Sequence, residues 1–537
     1  MLILAGGATI LFFVALGARD LWNPNEPIYG RAVVEMAQRG DWTIPTVNGK
    51  PFAEKPIGYY WAARASSLFR GSIDELSLRM PSALAGIATV LLTYLLVLPY
   101  AGRRRALIAA AVLATTFQVF WASRSVQMDV LVLAATVATI VPLLRMLDFG
   151  WRPAPAWALA GAAAGLGFLA KGPVAWVLPA LVVLGYAASQ RRLRDLFDRS
   201  MLLGLGIALA ISAPWYVTLA LEGELAFLHE VLIRQNFERF VRAWDHERPW
   251  WYYLPYLGLD FAPWSLLLPA ALLIRGNSPR EKQLERLAWI WIAAVVIFFS
   301  LSDSKRSPYI LPIAPAVAAL VAGVVDRWST RSLPHRLASL TARAGVTAFA
   351  IGLAAVGTWA FSERGNLPGD MRNVATGLGV FALGSGAVLL FALLLRETRY
   401  APLALFAIVL AAYLGAALWG LPAADAIKSD RSFGVALRQR AGPGGENVVS
   451  YRLWGWRAGY AFYAGRTIPN LSTPAELRSW TRRHGLDYIV VEEEDRPELQ
   501  VLLPTAKRVL DRRIGSRWVY LFATPSGGPR SAGPTAN

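Results

Sequence analysis

Ionisable residues stand in the first outer loop and where apolar runs begin or end. They are Glu54 and Lys55 in FAEKPIGYYW, Arg124 and Asp129 in SRSVQMDVLV, Lys171 in FLAKGPV, and Asp303, Lys305 and Arg306 in SLSDSKRSPYILP. Charge at such depth is costly and faces a cavity or a partner. Glu54-Lys55 alone reads as a surface ion pair, and Lys171 alone as a snorkelling lysine. Gathered on one face, they make a polar site with more than one cation. That suits an anionic ligand, and a phosphate at a membrane surface is the first candidate. RQNFERFVRAWDHERPWWYY adds Arg234, Asn236, Glu238, Arg239, Arg242, Asp245, His246 and Glu247 on the same side. His246 with Glu54 is a thin ligand set for a divalent ion.

The opening outer segment, DLWNPNEPIYGRAVVEM, adds Asn25 and Glu26. A carboxylate is needed if a hydroxyl acceptor must lose a proton, and Glu26 and Asp129 are the candidates. An acceptor that is already an anion needs none.

The elements that must position these residues are membrane helices. The chain has 537 residues, 55% of them hydrophobic. Apolar runs lie near 2–18, 79–99, 106–123, 128–147, 155–170, 173–189, 201–221, 256–274, 286–302, 308–325, 342–361, 375–395 and 401–421. Runs of roughly 17–25 residues span a bilayer, so about thirteen spans are expected. The first lacks a basic n-region and reads as a retained helix rather than a signal peptide. Cysteine is absent, which excludes disulfides and thiolate chemistry, and four histidines leave little room for a histidine-rich metal site.

The net charge is +18. Lys and Arg cluster in short gaps at 102–105, 190–199, 275–282, 326–336 and 396–399, which is the positive-inside pattern and argues against nucleic acid as a partner. With the N-terminus cytoplasmic, all of these gaps fall inside. Loops at about 19–78 and 222–255 then fall outside, and aromatic residues such as Trp22, Tyr59, Trp215 and Trp250 crowd that boundary. Tyr59, next to the Glu54-Lys55 pair, is counted with the substrate-binding set. GRAVVEMAQRGDW and the stretch from Phe52 to Phe69 read as two helices lying in the interface.

The expected organisation is a multi-spanning domain over 1–421, a small extracytoplasmic α/β domain over 422–525 and a disordered tail over 526–537. In the small domain, ENVVSYR, YAFYAG, YIVVEEE and RWVYLFATP read as strands. STPAELRSWTRRHG reads as a capped helix.

In order and spacing, these segments resemble the polyprenyl-phosphate-sugar-dependent glycosyltransferases of the GT-C superfamily. Nearest is the branch of the aminoarabinose transferase that modifies lipid A in lipopolysaccharide, with the protein O-mannosyltransferases more distant. The resemblance runs over about residues 15 to 325. It implies an enzyme of the bacterial inner membrane whose periplasmic site takes a sugar from undecaprenyl phosphate, without a nucleotide, usually with inversion. The acceptor implied is a lipid or cell-envelope glycan. It implies donor-phosphate cations at Lys55, Lys171, Lys305 and Arg306, with Arg124 beside them. It implies a role for Asp129, and a divalent ion (zinc, or magnesium or manganese) at Glu54 and His246.

The family pattern after the first helix is Asp-Glu-x-Arg-Tyr. This chain has Asn25-Glu26-Pro27-Ile28-Tyr29. Asn cannot accept a proton, so Glu26, Asp129 or no base at all must serve. A transporter or flippase for lipid-linked sugars, or a non-catalytic binder of them, is the competing expectation. The sugar, the acceptor and the oligomeric state are not legible.

Overall fold

The computed structural model describes residues 1–242, 245–367, 369–395, 400–442, 447–453 and 459–525. The tail expected over 526–537 lies outside them. The chain forms two compact units. The first comprises Met1–Leu16, Ala53–Ala62 and Arg79–Gly420, and the second Gly17–Phe52, Ala63–Leu78 and Leu421–Asn537. The second therefore gathers two pieces of the long outer loop as well as the C-terminal part, where the sequence suggested a single boundary near 421.

The first unit is helical. Among the described residues, nine helices are long and apolar enough to cross a membrane: Glu75–Ala114, Asp129–Phe149, Pro153–Lys171, Ser200–Leu221, Pro279–Ser300, Ser307–Ser329, Arg336–Asn366, Met371–Leu394 and Ala401–Ala423. Leu2–Phe13 and Val174–Ser189 are shorter apolar helices. The difference from about thirteen has local causes. Two expected spans share the run Glu75–Ala114, which breaks at Gly102, where φ is 78° and ψ 172°. The expected span 256–274 is split into Tyr253–Leu259 and Leu268–Leu272 around Asp260 and Pro263. Proline there removes an N–H donor and blocks a continuous helix.

Three of the basic gaps, at 102–105, 275–282 and 326–336, meet in this unit. Arg105 and Arg327 both pair with Glu281, at 3.1 Å and 3.3 Å, and Arg104 pairs with Asp326 at 2.8 Å. Nearby in the fold, Asp148 accepts hydrogen bonds from the Tyr100 and Tyr186 hydroxyls at 2.5 Å and 2.6 Å. Buried polar groups in a helical membrane core must be satisfied internally, and Asp148 is held in this way by the two hydroxyls.

The second unit is built on a five-stranded sheet: β3 (Val448–Tyr451), β4 (Asn470–Leu471), β5 (Tyr488–Glu492), β6 (Lys507–Ile514) and β7 (Arg517–Ala523). The order is β4-β3-β5-β7-β6. β3 runs parallel to β4 and β5, while β7 runs antiparallel to β5 and β6. Val448, Val490, Leu510 and Leu521 feed one core, and Val449, Ile489, Val491 and Phe522 another. That division follows from the two-residue period of a strand.

Helix Pro474–His484 starts as its sequence indicates. The Thr473 hydroxyl accepts the Glu476 N–H at 3.2 Å, and the Glu476 carboxylate accepts the Ser472 N–H at 2.7 Å. YAFYAG is not a strand. It lies in helix Gly459–Ala464, whose Tyr460, Ala461 and Ala464 are buried with Phe433 and Leu437. Small residues between the aromatics allow it to sit close to helix Arg431–Ala441, an arrangement that an alternating pattern imitates. β6 was hidden by its charges, KRVLDRRI.

Of the outer loop, helix Asn25–Arg39 ends at Gly40 in the left-handed region. It is not an interfacial helix with one wet face, because Arg31 and Glu35 are buried with its apolar residues. Glu35 pairs with Arg31 at 2.8 Å. It also accepts from the Thr46 hydroxyl at 2.6 Å and the Asn48 N–H at 2.7 Å, fixing the hairpin of β1 (Thr46–Val47) and β2 (Lys50–Pro51).

Candidate active site

The site belongs to the first unit, and two glycines let it close. At Gly58, a Cβ would come within 2.7 Å of the Leu169 carbonyl oxygen. Only glycine lets the segment carrying Glu54 and Lys55 lie against the end of helix Pro153–Lys171. At Gly172, φ is 77° and a side chain would come within 3.2 Å of the Asn236 amide oxygen. Lys171 is therefore delivered at a sharp turn, next to the segment Glu230–Val241.

Lys171 forms an ion pair with Asp129, the first residue of helix Asp129–Phe149. Its ammonium also lies 4.7 Å from the centroid of the Tyr309 ring. The third wall starts as a π-helix, Glu230–Glu238. Such wide turns are rare and gather at functional sites. Asn236 donates into the turn, to the Val231 carbonyl at 2.9 Å and the Leu232 carbonyl at 3.2 Å. One residue past its end, Arg239 pairs with Asp245 at 2.7 Å and donates to the Gln235 side-chain oxygen at 3.2 Å.

Between these walls is a cavity of about 370 Å³. Glu54, Lys55, Lys171 and Arg239 line it together with Val174, Val177, Phe240, Phe298, Phe299 and Tyr309. Its electrostatics are marked at Lys55. Burial lowers that ammonium's pKa to about 8, and the nearby Lys171 and Arg239 push the same way against Glu54. The Lys55 ammonium donates to the Glu54 carbonyl at 2.9 Å. A low-dielectric cavity with three cations is a site that an incoming anion stabilises.

The remaining expected residues are placed as follows. Lys305 is buried, and its ammonium donates to the carbonyls of Ser302 and Arg248. Its backbone N–H donates to the His246 carbonyl at 3.0 Å. It thus ties the loop at 245–248 to the segment 302–305. Arg306 is half-buried and close enough to act on both Asp129 and His246. Arg124 donates to the Leu11 and Phe12 carbonyls at 3.0 Å and 3.1 Å, satisfying the end of helix Leu2–Phe13. Tyr59 is fully buried, with its hydroxyl 3.5 Å from that of Ser82.

In the second unit, Glu26 is buried. Arg19 holds both its oxygens, and the Trp22 N–H donates to it at 3.1 Å. Asn25 is the half-buried first residue of its helix.

The metal expectation meets an unfavourable donor set. His246 lies 3.8 Å from Asp245, and burial and the nearby Arg306, Arg239 and Arg248 lower its pKa. Those guanidinium groups oppose a further cation. Among the described residues, no group of three or more His, Asp or Glu is placed to hold a metal. The set does not fit a resident divalent ion, and no step below uses one.

Sequence reasoning named Arg239 and Asn236 only as members of a charged loop and passed over Gln235 and Arg19. The available signals were Asp245, six residues after Arg239, and Arg19 at a helix end, seven residues before Glu26.

The chain is similar to known proteins. The family described as dolichyl-phosphate-mannose-protein mannosyltransferase matches residues 54–217. The undecaprenyl phosphate-α-4-amino-4-deoxy-L-arabinose arabinosyl transferase of Pectobacterium carotovorum is 30% identical over 399 residues, covering 73% of this chain and 70% of that protein. Its counterpart in Pseudomonas aeruginosa is 34% identical over 325 residues, covering 60% of this chain and 58% of that protein. The crystal structure of ArnT from Cupriavidus metallidurans bound to undecaprenyl phosphate superposes with a TM-score of 0.78, at 22% identity and over 99% of each chain.

The fold and these relatives together make the chain a multi-spanning membrane glycosyltransferase of the GT-C class. Within that class, the chain belongs to the family of undecaprenyl phosphate-aminoarabinose arabinosyl transferases.

Proposed function

We propose that the chain transfers a sugar from an undecaprenyl-phosphate-linked donor to a phosphate oxygen of a lipid A-type acceptor. The observation that carries this reading is the cavity itself. Lys55, Lys171 and Arg239 share it with Val174, Val177, Phe298 and Phe299. Cations and apolar side chains around one space suit an amphiphile with an anionic head and an apolar tail.

The acceptor follows from the carboxylates. Asp129 is paired with Lys171 and Glu26 with Arg19. A carboxylate held by a cation is a weak base, so neither of the two expected bases suits a hydroxyl acceptor. A phosphate oxygen is ionised already. Its lone pair attacks C1 of the sugar, the bond from C1 to the donor phosphate oxygen breaks, and the electron pair leaves on undecaprenyl phosphate. No proton moves. The protein orients both partners, and the cations of the cavity stabilise the charge gathering on the leaving phosphate.

The topology that fits this reading has the N-terminus cytoplasmic and both the cavity and the C-terminal unit periplasmic. The basic gaps that meet at Glu281 support it.

The test is transfer by the purified protein in lipid. A labelled undecaprenyl-phosphate aminoarabinose is offered with lipid A, and with lipid A from which the phosphates have been removed. Product with the first acceptor alone, abolished by Lys55→Ala, supports the reading. Equal transfer to the dephosphorylated acceptor overturns the assignment of a phosphate oxygen.

A further inference from the structure

A second cavity, of about 510 Å³, lies wholly within the second unit. Its volume falls in the range of small-molecule sites, roughly 300–1,000 Å³. One wall is a face of helix Arg431–Ala441, formed by Arg431, Ser432, Val435, Ala436 and Gln439. Their spacing of one, four, five and eight residues puts them on the same side of the helix. The opposite side carries Phe433 and Leu437 into the core of the sheet. Ala436 also packs against that core, while the exposed Arg431, Ser432, Val435 and Gln439 make up the rest of the wall.

The other wall is Asp20, Asp425, Ala426 and Ser429. Asp425 accepts the Trp22 indole N–H at 2.6 Å on one oxygen and the Asp20 backbone N–H at 2.9 Å on the other. A carboxylate oxygen accepts two hydrogen bonds, so each oxygen of Asp425 has capacity left. Burial and the neighbouring Asp20 raise the Asp425 pKa, against its two hydrogen bonds and the nearby Arg19.

Charge sharpens the choice of ligand. Asp20 and Asp425 face one lining cation, Arg431, which Asp20 holds at 2.8 Å and Glu75 approaches at 3.7 Å. The cavity lining is net negative in a chain of net charge +18. That balance favours a cationic ligand over phosphate. Ser432 and Gln439 offer hydroxyl and amide partners, and Val435 and Ala436 offer a small apolar patch, a combination that suits the hydroxyls and C–H face of a sugar ring.

We propose that this cavity is a saccharide subsite that takes a sugar carrying a free, protonated amino group, with Asp425 receiving the ammonium. Sugar binding can be measured without any transfer, although its use in catalysis rests on the function proposed above.

The experiment is saturation-transfer NMR on the full-length protein in lipid nanodiscs, with glucosamine, glucose and glucose 6-phosphate as probes. Glucosamine binds, glucose binds at least tenfold more weakly, and glucose 6-phosphate gives no signal. Asp425→Asn brings glucosamine down to the level of glucose. Gln439→Trp fills the cavity and removes both signals, and Ser432→Tyr serves the same end should the first variant fold poorly. Lys55→Ala, which disables donor recognition, leaves glucosamine binding intact, so failure of this subsite and failure of the transferase reading are told apart. No signal from glucosamine, or a signal indifferent to Asp425→Asn and to the filled cavity, overturns the proposal. So does preference for the phosphorylated sugar.

Discussion

Arg19 grips both oxygens of Glu26, at 2.6 Å and 3.0 Å, in a pair that is almost wholly buried. The arrangement makes Glu26 an anchor. Removing one member of a buried pair leaves the other charged and unpaired, at a cost of about 3–5 kcal/mol. Glu26→Gln therefore lowers the melting temperature by several degrees and reduces the yield of folded protein. Folded protein keeps a pH–rate profile of unchanged shape. Loss of an ionisation from that profile, at unchanged stability, would instead make Glu26 the base.

Asp129, paired with the cavity residue Lys171, poses the same question. If it were a general base, its loss would cost roughly 10²–10⁴ in rate. If it serves to hold Lys171, Asp129→Asn frees a cation beside the donor phosphate. Undecaprenyl phosphate, the product, then binds more tightly and leaves more slowly. The expected result is a lower KM for donor with a fall in kcat of less than about tenfold, because the chemical step keeps its machinery. Steady-state kinetics with product inhibition decide the matter.

Lys55 gives the enzyme an alkaline limb. Its pKa is lowered to about 8, so at pH 7 most of it is charged and at pH 9 about a tenth is. The profile of kcat/KM, which reports the free enzyme, falls as pH rises through about 8. Bound phosphate restores the charge, so kcat falls only at higher pH. Lys55→Arg removes the limb, since a guanidinium stays protonated throughout. Stability runs the other way. The unfolded chain, with its lysine near 10.5, binds more protons between pH 8 and 10.5, so the folded state gains stability across that window. Lys55→Met is accordingly more stable than wild type below pH 8, and inactive.

Much of this was legible because charge in an apolar sequence is conspicuous. Asp129 and Lys171 announced a site by standing at the ends of apolar runs, and Lys55 by its place in the outer loop; Lys55 and Lys171 line the cavity, and Asp129 joins them through its pair with Lys171. The partners of the other charges were hidden by distance along the chain. Arg124 looked like a ligand for substrate, yet its guanidinium reaches the Leu11 and Phe12 carbonyls more than a hundred residues away. The second unit was blurred for the same reason. The Leu21 N–H donates to the Tyr463 hydroxyl, 442 residues on, and no local pattern reports such a contact. Arg239 and its partner Asp245 follow a π-helix, whose wide turn apolar periodicity does not register.

Lys305 was expected at the donor phosphate, and its surroundings give it different work. Its ammonium is spent on the carbonyls of Ser302 and Arg248, while the neighbouring bridge pairs Glu247 with Ser304. Hydrogen bonds from a charged group contribute about 1.5–3 kcal/mol each. Lys305→Met therefore loosens the loop at 245–248, and with it Asp245, the residue that orients Arg239. Hydrogen exchange in that loop speeds up, and transfer falls by at least tenfold through kcat. The affinity for undecaprenyl phosphate changes less than twofold, whereas Lys55→Ala loses most of it. A Lys305→Met protein that exchanges like wild type but no longer binds undecaprenyl phosphate would return Lys305 to the phosphate.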